Sequence, residues 1–145
     1  MSKPLPSLKD IPSCADLGIV GVAVPDWLSE LEAAFGHSAS RRLLLAFAGR
    51  ELNIPSGDVR GTALDRACGP RVARWLQEHL GHGRFRVPMA LASLTARRRV
   101  VIHAQLAAGR SLEETAAAAQ CHTRTVSALK AQFRAEGLLP ERGTP

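Results

Sequence analysis

Residues 111–137 read SLEETAAAAQCHTRTVSALKAQFRAEG, and two architectures compete for them: one Ala-rich helix, or two helices broken by a turn. Ser111 is a strong N-cap with Glu114 three residues on, the spacing at which each side chain satisfies the other's backbone N–H. Gly109-Arg110 just before it ends any preceding helix. Leu112, Thr115, Ala116 and Ala119 then line one face of a helix of about two turns. Thr123 offers a second cap, and Val126, Ala128, Leu129 and Phe133 supply the buried stripe of another helix, which Gly137 stops. Two caps in one stretch favour two helices.

The insert Gln120-Cys121-His122 holds neither Gly nor Pro. In a helix-turn-helix the position between the helices usually carries Gly in a left-handed conformation, which Gln120 adopts only under strain. Ala116 would sit where the helices cross, and Val126 would be the core position of the second one. With that phase Thr123, Arg124, Ser127, Lys130 and Arg134 point outward. They are hydrogen-bond donors, with no acid among them before Glu136. Such a face suits phosphates and base edges in a major groove. Glu113 and Glu114 lie on the first helix, which only crosses the backbone.

Upstream, a helix is expected over about Ala90–Ala108, with Leu94, Val101, Ile102 and Leu106 apolar. Arg97, Arg98 and Arg99 stand near its start, where cations oppose the helix dipole. Two readings remain: contacts to an external anion, with Ser111, along a DNA backbone, or a solvated charge run. Further back, Gly49-Arg50-x-Leu52-x-Ile54-Pro55 is echoed by Gly83-Arg84-Phe85-Arg86-Val87-Pro88. Each unit follows an apolar helix ending at Gly. Two readings of this echo stand: two equivalent strands meeting in one small sheet, within a subunit or across a dimer, or a chance repetition of a short motif; Arg84 and Arg86 are candidate strand contacts.

Other helices are expected from Pro25-Asp26 to Gly36, from a Ser38 or Ser40 cap to Gly49, from Thr62 to Cys68, and over RVARWLQEHL. Three prolines and the run LGIVGVAV make the first residues an extended arm with a short strand near Ile19–Val24.

From Met1 to Val59 five Lys/Arg face seven Asp/Glu, a net of −2; from Arg60 onward fourteen face six, a net of +8. A basic C-terminal part fits a polyanion-binding surface, and equally a solvated Arg-rich one. Three scattered cysteines form no C-x-x-C pair, so neither a disulfide framework nor zinc is indicated. His79, His82 and His103 lack a paired ligand motif, and neither a phosphate loop nor a carboxylate pair is present. Cys68 and Cys121 read as small buried hydrophobes rather than nucleophiles. No metal, cofactor or enzymatic activity is expected. With neither a signal peptide nor an apolar run of membrane-spanning length, a soluble cytoplasmic protein is expected.

The order of motifs over Val24–Gly137 resembles the Mor transcription activator family, the middle-operon and late-gene activators of Mu-like bacteriophages and their prophage relatives. The likeness rests on VPDWLSELEAAFG, on GRELNIP (similar to the family's Gly-Gly-x-x-x-Tyr-Ile-Pro strand), on LTARRRVVIHAQLAAG and on the terminal helix pair. Asn53 stands where the family often has Tyr, and Gln120 where it has Gly. The resemblance implies a homodimer that binds double-stranded DNA and recruits RNA polymerase. The expected fold is mainly α with short β-strands. It comprises an extended arm (1–24), a helical and strand dimerisation part (25–89), a helix-turn-helix part (90–137) and a tail (138–145). The rival is a protein-interaction dimer whose helix-turn-helix has degenerated.

Overall fold

In the computed structural model, which describes residues 4–140, the N-terminal segment is not simply extended. Pro4, Pro6 and Pro12 all precede Ser13, whose Oγ accepts from the Asp16 N–H at 3.1 Å and caps helix α1 (Cys14–Ile19). Cys14, Leu17 and Val20 are buried from it. The strand expected near Ile19–Val24 does not form. The apolar run is instead a helical stripe closed by a turn at Gly21 (φ 82°), where Val22 N–H donates back to the Leu17 carbonyl. The remaining residues assigned to the arm, 1–3, lie outside the described range.

Helices α2 (Asp26–Phe35) and α3 (His37–Phe47) pack on each other across Gly36. Neither Ser38 nor Ser40 caps α3, which starts directly after Gly36. Ser40 is fully buried, and its hydroxyl donates to Glu32 Oε1 at 2.8 Å. The same carboxylate accepts the Cys14 N–H, 3.0 Å from each oxygen. One half-buried acid therefore satisfies an open N–H of α1 and a buried hydroxyl of α3 from α2.

Strands β1 (Glu51–Ile54) and β2 (Gly83–Arg86) pair antiparallel, with Leu52 opposite Phe85 and Glu51 opposite Arg86. The two Gly-Arg units thus meet within one chain. The ladder runs on through Gly49 N–H to the Val87 carbonyl and Val87 N–H to the Arg50 carbonyl. Leu52 and Ile54 are buried, whereas Glu51, Asn53, Arg84 and Arg86 face solvent, as a period of two requires. Between the strands, Thr62 caps α4 (Ala63–Cys68), and Pro70 opens α5 (Pro70–Leu80) at a position whose N–H would be unpaired anyway.

The helix expected over Ala90–Ala108 is split. Met89–Ala92 form a 3-10 turn, and α6 (Leu94–Ala107) begins afresh at Ser93, whose Oγ accepts from Ala96 N–H and donates to the Ala90 carbonyl. Helices α7 (Leu112–Ala119) and α8 (Thr123–Ala135) pack on α6 and on each other. Leu138 and Leu139 are not a free tail. Leu139 is buried, and Leu138 N–H donates to the Phe133 carbonyl. The rest of the expected tail, 141–145, lies outside the described range. A single contiguous set of buried side chains runs from Ile11 to Leu139. Among the described residues no helix is long and apolar enough to cross a membrane.

Replacing Glu32 by Ala removes the acceptor for both Cys14 N–H and Ser40. Urea unfolding should show a loss of about 1–3 kcal/mol, with faster amide exchange across α1. An unchanged midpoint would mean that the carboxylate is dispensable.

Candidate nucleic-acid interface

The α7–α8 unit is built from its caps. Ser111 Oγ accepts from Glu114 N–H and Glu114 Oε1 accepts from Ser111 N–H, both at 3.1 Å, so the reciprocal cap is complete. These bonds, with Arg110 beside it, hold the Glu114 carboxyl below the usual range. The second cap is not Thr123. His122 Nδ1 accepts from Arg124 N–H at 2.9 Å, and Thr123 is the first helical residue. An imidazole nitrogen accepts in this way only when it carries no proton.

Gln120 adopts φ 51° and ψ 52°, the one non-glycine with positive φ among the described residues. Gln120 N–H donates to the Ala117 carbonyl and Cys121 N–H to that of Ala116. This is the full paired-bond arrangement of a left-handed helix terminus. Arg98 then reaches in from α6. Its Nε–H donates to the Ala119 carbonyl at 2.9 Å and its Nη2 to that of Gln120 at 3.2 Å. A cation thus sits on the negative end of α7 and on the strained residue itself.

The neighbouring arginines do similar work elsewhere. Arg97 donates to the Ala92 carbonyl (3.0 Å) and to that of Leu8 (3.4 Å). Arg99 donates through Nε and Nη2 to the Val20 carbonyl at the end of α1 (3.3 and 2.9 Å), and its guanidinium lies 5.2 Å from the centre of the Phe133 ring. The triplet is half-buried rather than a solvated run, and internal carbonyls account for its presence without an external anion.

On α8, Val126 and Phe133 are fully buried and Leu129 partly so. Ala128, expected in the stripe, is exposed. Arg124 and Ser127 are exposed, Thr123 and Lys130 half-covered. Arg134 is also half-covered, and its Nε is buried without a partner. Thr125 and Gln132 share the open surface, and the apolar period is compatible with both. Ser111 and Arg110 are exposed at the start of α7. Arg84 and Arg86 belong to a separate surface: their sheet packs on α4 and α5, whereas α8 packs on α6 and α7.

Thr115 is wholly buried, and its hydroxyl has no partner in the α6–α7–α8 core. Cys68 and Cys14 are buried thiols. Burial pushes Cys68 to about 11, and burial with the Glu32 charge pushes Cys14 to about 12, so both stay protonated and unreactive at neutral pH. His79 stacks on Trp75 with ring centres 3.7 Å apart, and His103 bonds the Leu138 carbonyl through Nε2 at 2.9 Å. Among the described residues no three His, Cys, Asp or Glu side chains gather as metal ligands would.

No family model matches the chain, and no curated protein or solved structure resembles it significantly.

Two stability experiments follow from the turn and its core. Gln120→Gly relieves the left-handed strain and should raise unfolding free energy by about 1 kcal/mol, while Arg98→Met should lower it by about 1–3 kcal/mol. Equal melting temperatures for all three proteins would show that the turn is not under tension. Separately, Thr115→Val removes an unpaired buried hydroxyl and should stabilise by about 1 kcal/mol; destabilisation would reveal a hidden partner.

Proposed function

We propose that this chain is a DNA-binding transcription regulator in which α7 and α8 act as a helix-turn-helix. Helix α8 enters the major groove with Arg124, Thr125 and Ser127 at base edges, while Thr123 and Lys130 lie against phosphates. The observation that carries this reading is the closed turn at Gln120. A left-handed residue with both backbone bonds made, and clamped by Arg98, fixes α8 relative to α7 and leaves the first two turns of α8 open. Recognition helices contact bases from that end. The absence of acids from Thr123 to Ala135 supports it, because a carboxylate there would repel phosphate.

The similarity of motif order to the Mor family supports two further elements of the proposal, a homodimer and recruitment of RNA polymerase; a second DNA contact through Arg84 and Arg86 rests on their exposure on the sheet alone. Ser111 and Arg110, exposed at the start of α7, suit the DNA backbone there. Arg97, Arg98 and Arg99 take a different part from the one their charge suggests. Each commits donors to a main-chain carbonyl, so they position α6, α7 and α8 rather than read DNA.

The test is a salt titration of binding to mixed-sequence and selected duplexes. Affinity should fall steeply as salt rises, because phosphate contacts release counterions. Arg124→Ala should relax sequence discrimination by about 1–3 kcal/mol while weak binding persists. Arg98→Met should weaken binding without altering the salt slope, whereas loss of a phosphate contact would reduce that slope by about 1. No binding at low salt would sink the proposal and leave the protein-interaction dimer as the better reading.

A further inference from the structure

A second surface lies away from α8. Leu45 on α3 is 60% exposed and Met89 at the start of the 3-10 turn is 71% exposed, high values for large apolar side chains. They do not stand singly: both line one cleft of about 230 Å³ with Ile11, Leu44, Ala48 and Arg50. Its shape depends on Gly49. A Cβ at that position would stand 3.2 Å from Met89 Cβ and 3.3 Å from its Cγ, so glycine lets the methionine lie along the entry to β1. Methionine is a side chain that adapts to an incoming shape.

Arg50 lines the cleft and is exposed, and Arg41 and Arg42, also exposed, stand one turn before Leu45 on α3. Neither His37–Arg50 nor His79–Leu112, the segments that supply most of this face, contains an Asp or Glu. Among the described residues none of these three arginines is in an ion pair. An apolar hole with an acid-poor, arginine-bearing rim is complementary to an anchor side chain flanked by carboxylates.

We propose that this cleft docks an acidic segment of a protein partner, which inserts one large apolar side chain between Leu45 and Met89. A DNA backbone would use the arginines but leave the apolar pair unsatisfied. A second copy of this chain offers Asp26 and Glu30 on α2, but Leu28 and Leu31 there are fully buried and Trp27 is packed against its own core, so that acidic face has no free anchor, while the copy's exposed Leu45 and Met89 would bring like-charged arginines face to face. The inference does not depend on DNA binding.

The experiment is amide chemical-shift mapping on the full chain with three synthetic probes: an acidic peptide carrying one Phe, the same peptide with Ser for Phe, and a mixed-sequence DNA duplex. The Phe peptide should move resonances of residues 44–50 and 88–93, with the Ser peptide at least about tenfold weaker. Leu45→Ser and Met89→Ser, at exposed positions, should keep the wild-type melting temperature and each weaken the Phe peptide about tenfold. Arg50→Ser should weaken it less, and more so at low salt. Equal binding by the Ser peptide, absence of any shift, or movement of these resonances by DNA alone would overturn the proposal. So would a concentration-dependent dimer abolished by Met89→Ser, because a second copy would then fill the cleft.

Discussion

Three consecutive arginines at the start of α6 donate to main-chain carbonyls on three separate segments, and the rest of the molecule is arranged around that fan. Successive residues on a helix point roughly 100° apart, so a triplet reaches in three directions from one turn. Arg97 ties down the N-terminal segment at Leu8, Arg98 the end of α7 at Ala119 and Gln120, and Arg99 the end of α1 at Val20. Such charges are unfavourable near a helix N-terminus by a few tenths of a kcal/mol each. Charge-assisted hydrogen bonds contribute about 1.5–3 kcal/mol apiece. The bonds outweigh the dipole, and the energetic role of the triplet is tertiary.

The same balance decides the turn between α7 and α8. A left-handed non-glycine residue costs about 1–2 kcal/mol, which is why Gln120 reads as a defect in a sequence. The strain is local, but its compensation is not. Arg98 stands twenty-two residues upstream and takes the carbonyl of Gln120 itself. Phe133 completes the joint from the other side. It is the largest fully buried side chain, with Arg99 against its face and the edge-on ring of His103 at 5.4 Å. The position of α8 therefore follows from contacts that begin in α1 and end at Leu138.

Much of the local structure was legible because its causes are local. The Ser111–Glu114 cap, the Thr62 cap, the Gly36 and Gly81 stops and the alternating Leu52 and Ile54 act within four residues of where they stand. So does the break between α7 and α8. The misreadings have equally specific causes. The short helix α1 was hidden by prolines that all precede its cap. Ser93 lies inside an otherwise helical apolar period, which does not mark it as the cap that it is. Thr123 carries the hydroxyl of a common cap, yet an imidazole nitrogen of His122 fills that position one residue earlier. Ser38 and Ser40 both have the chemistry of a cap, yet α3 starts directly after Gly36 and Ser40 is buried against Glu32. The outward side chains of α8 follow the helical period, with Thr123, Lys130 and Arg134 half-covered by neighbours that the period does not describe.

What the sequence by itself determined is a mainly helical chain with two short Gly-Arg strands, a basic C-terminal part and two capped helices at its end, since these rest on spacing and short-range chemistry. Only the tertiary structure decided that the two strands pair within one chain, that the first segment folds onto α6, and that Arg97, Arg98 and Arg99 turn inward. Those outcomes depend on which carbonyl lies within 3–3.5 Å of a guanidinium once the helices have packed. Partners brought together from 21 to 89 residues away leave no periodic trace in the chain.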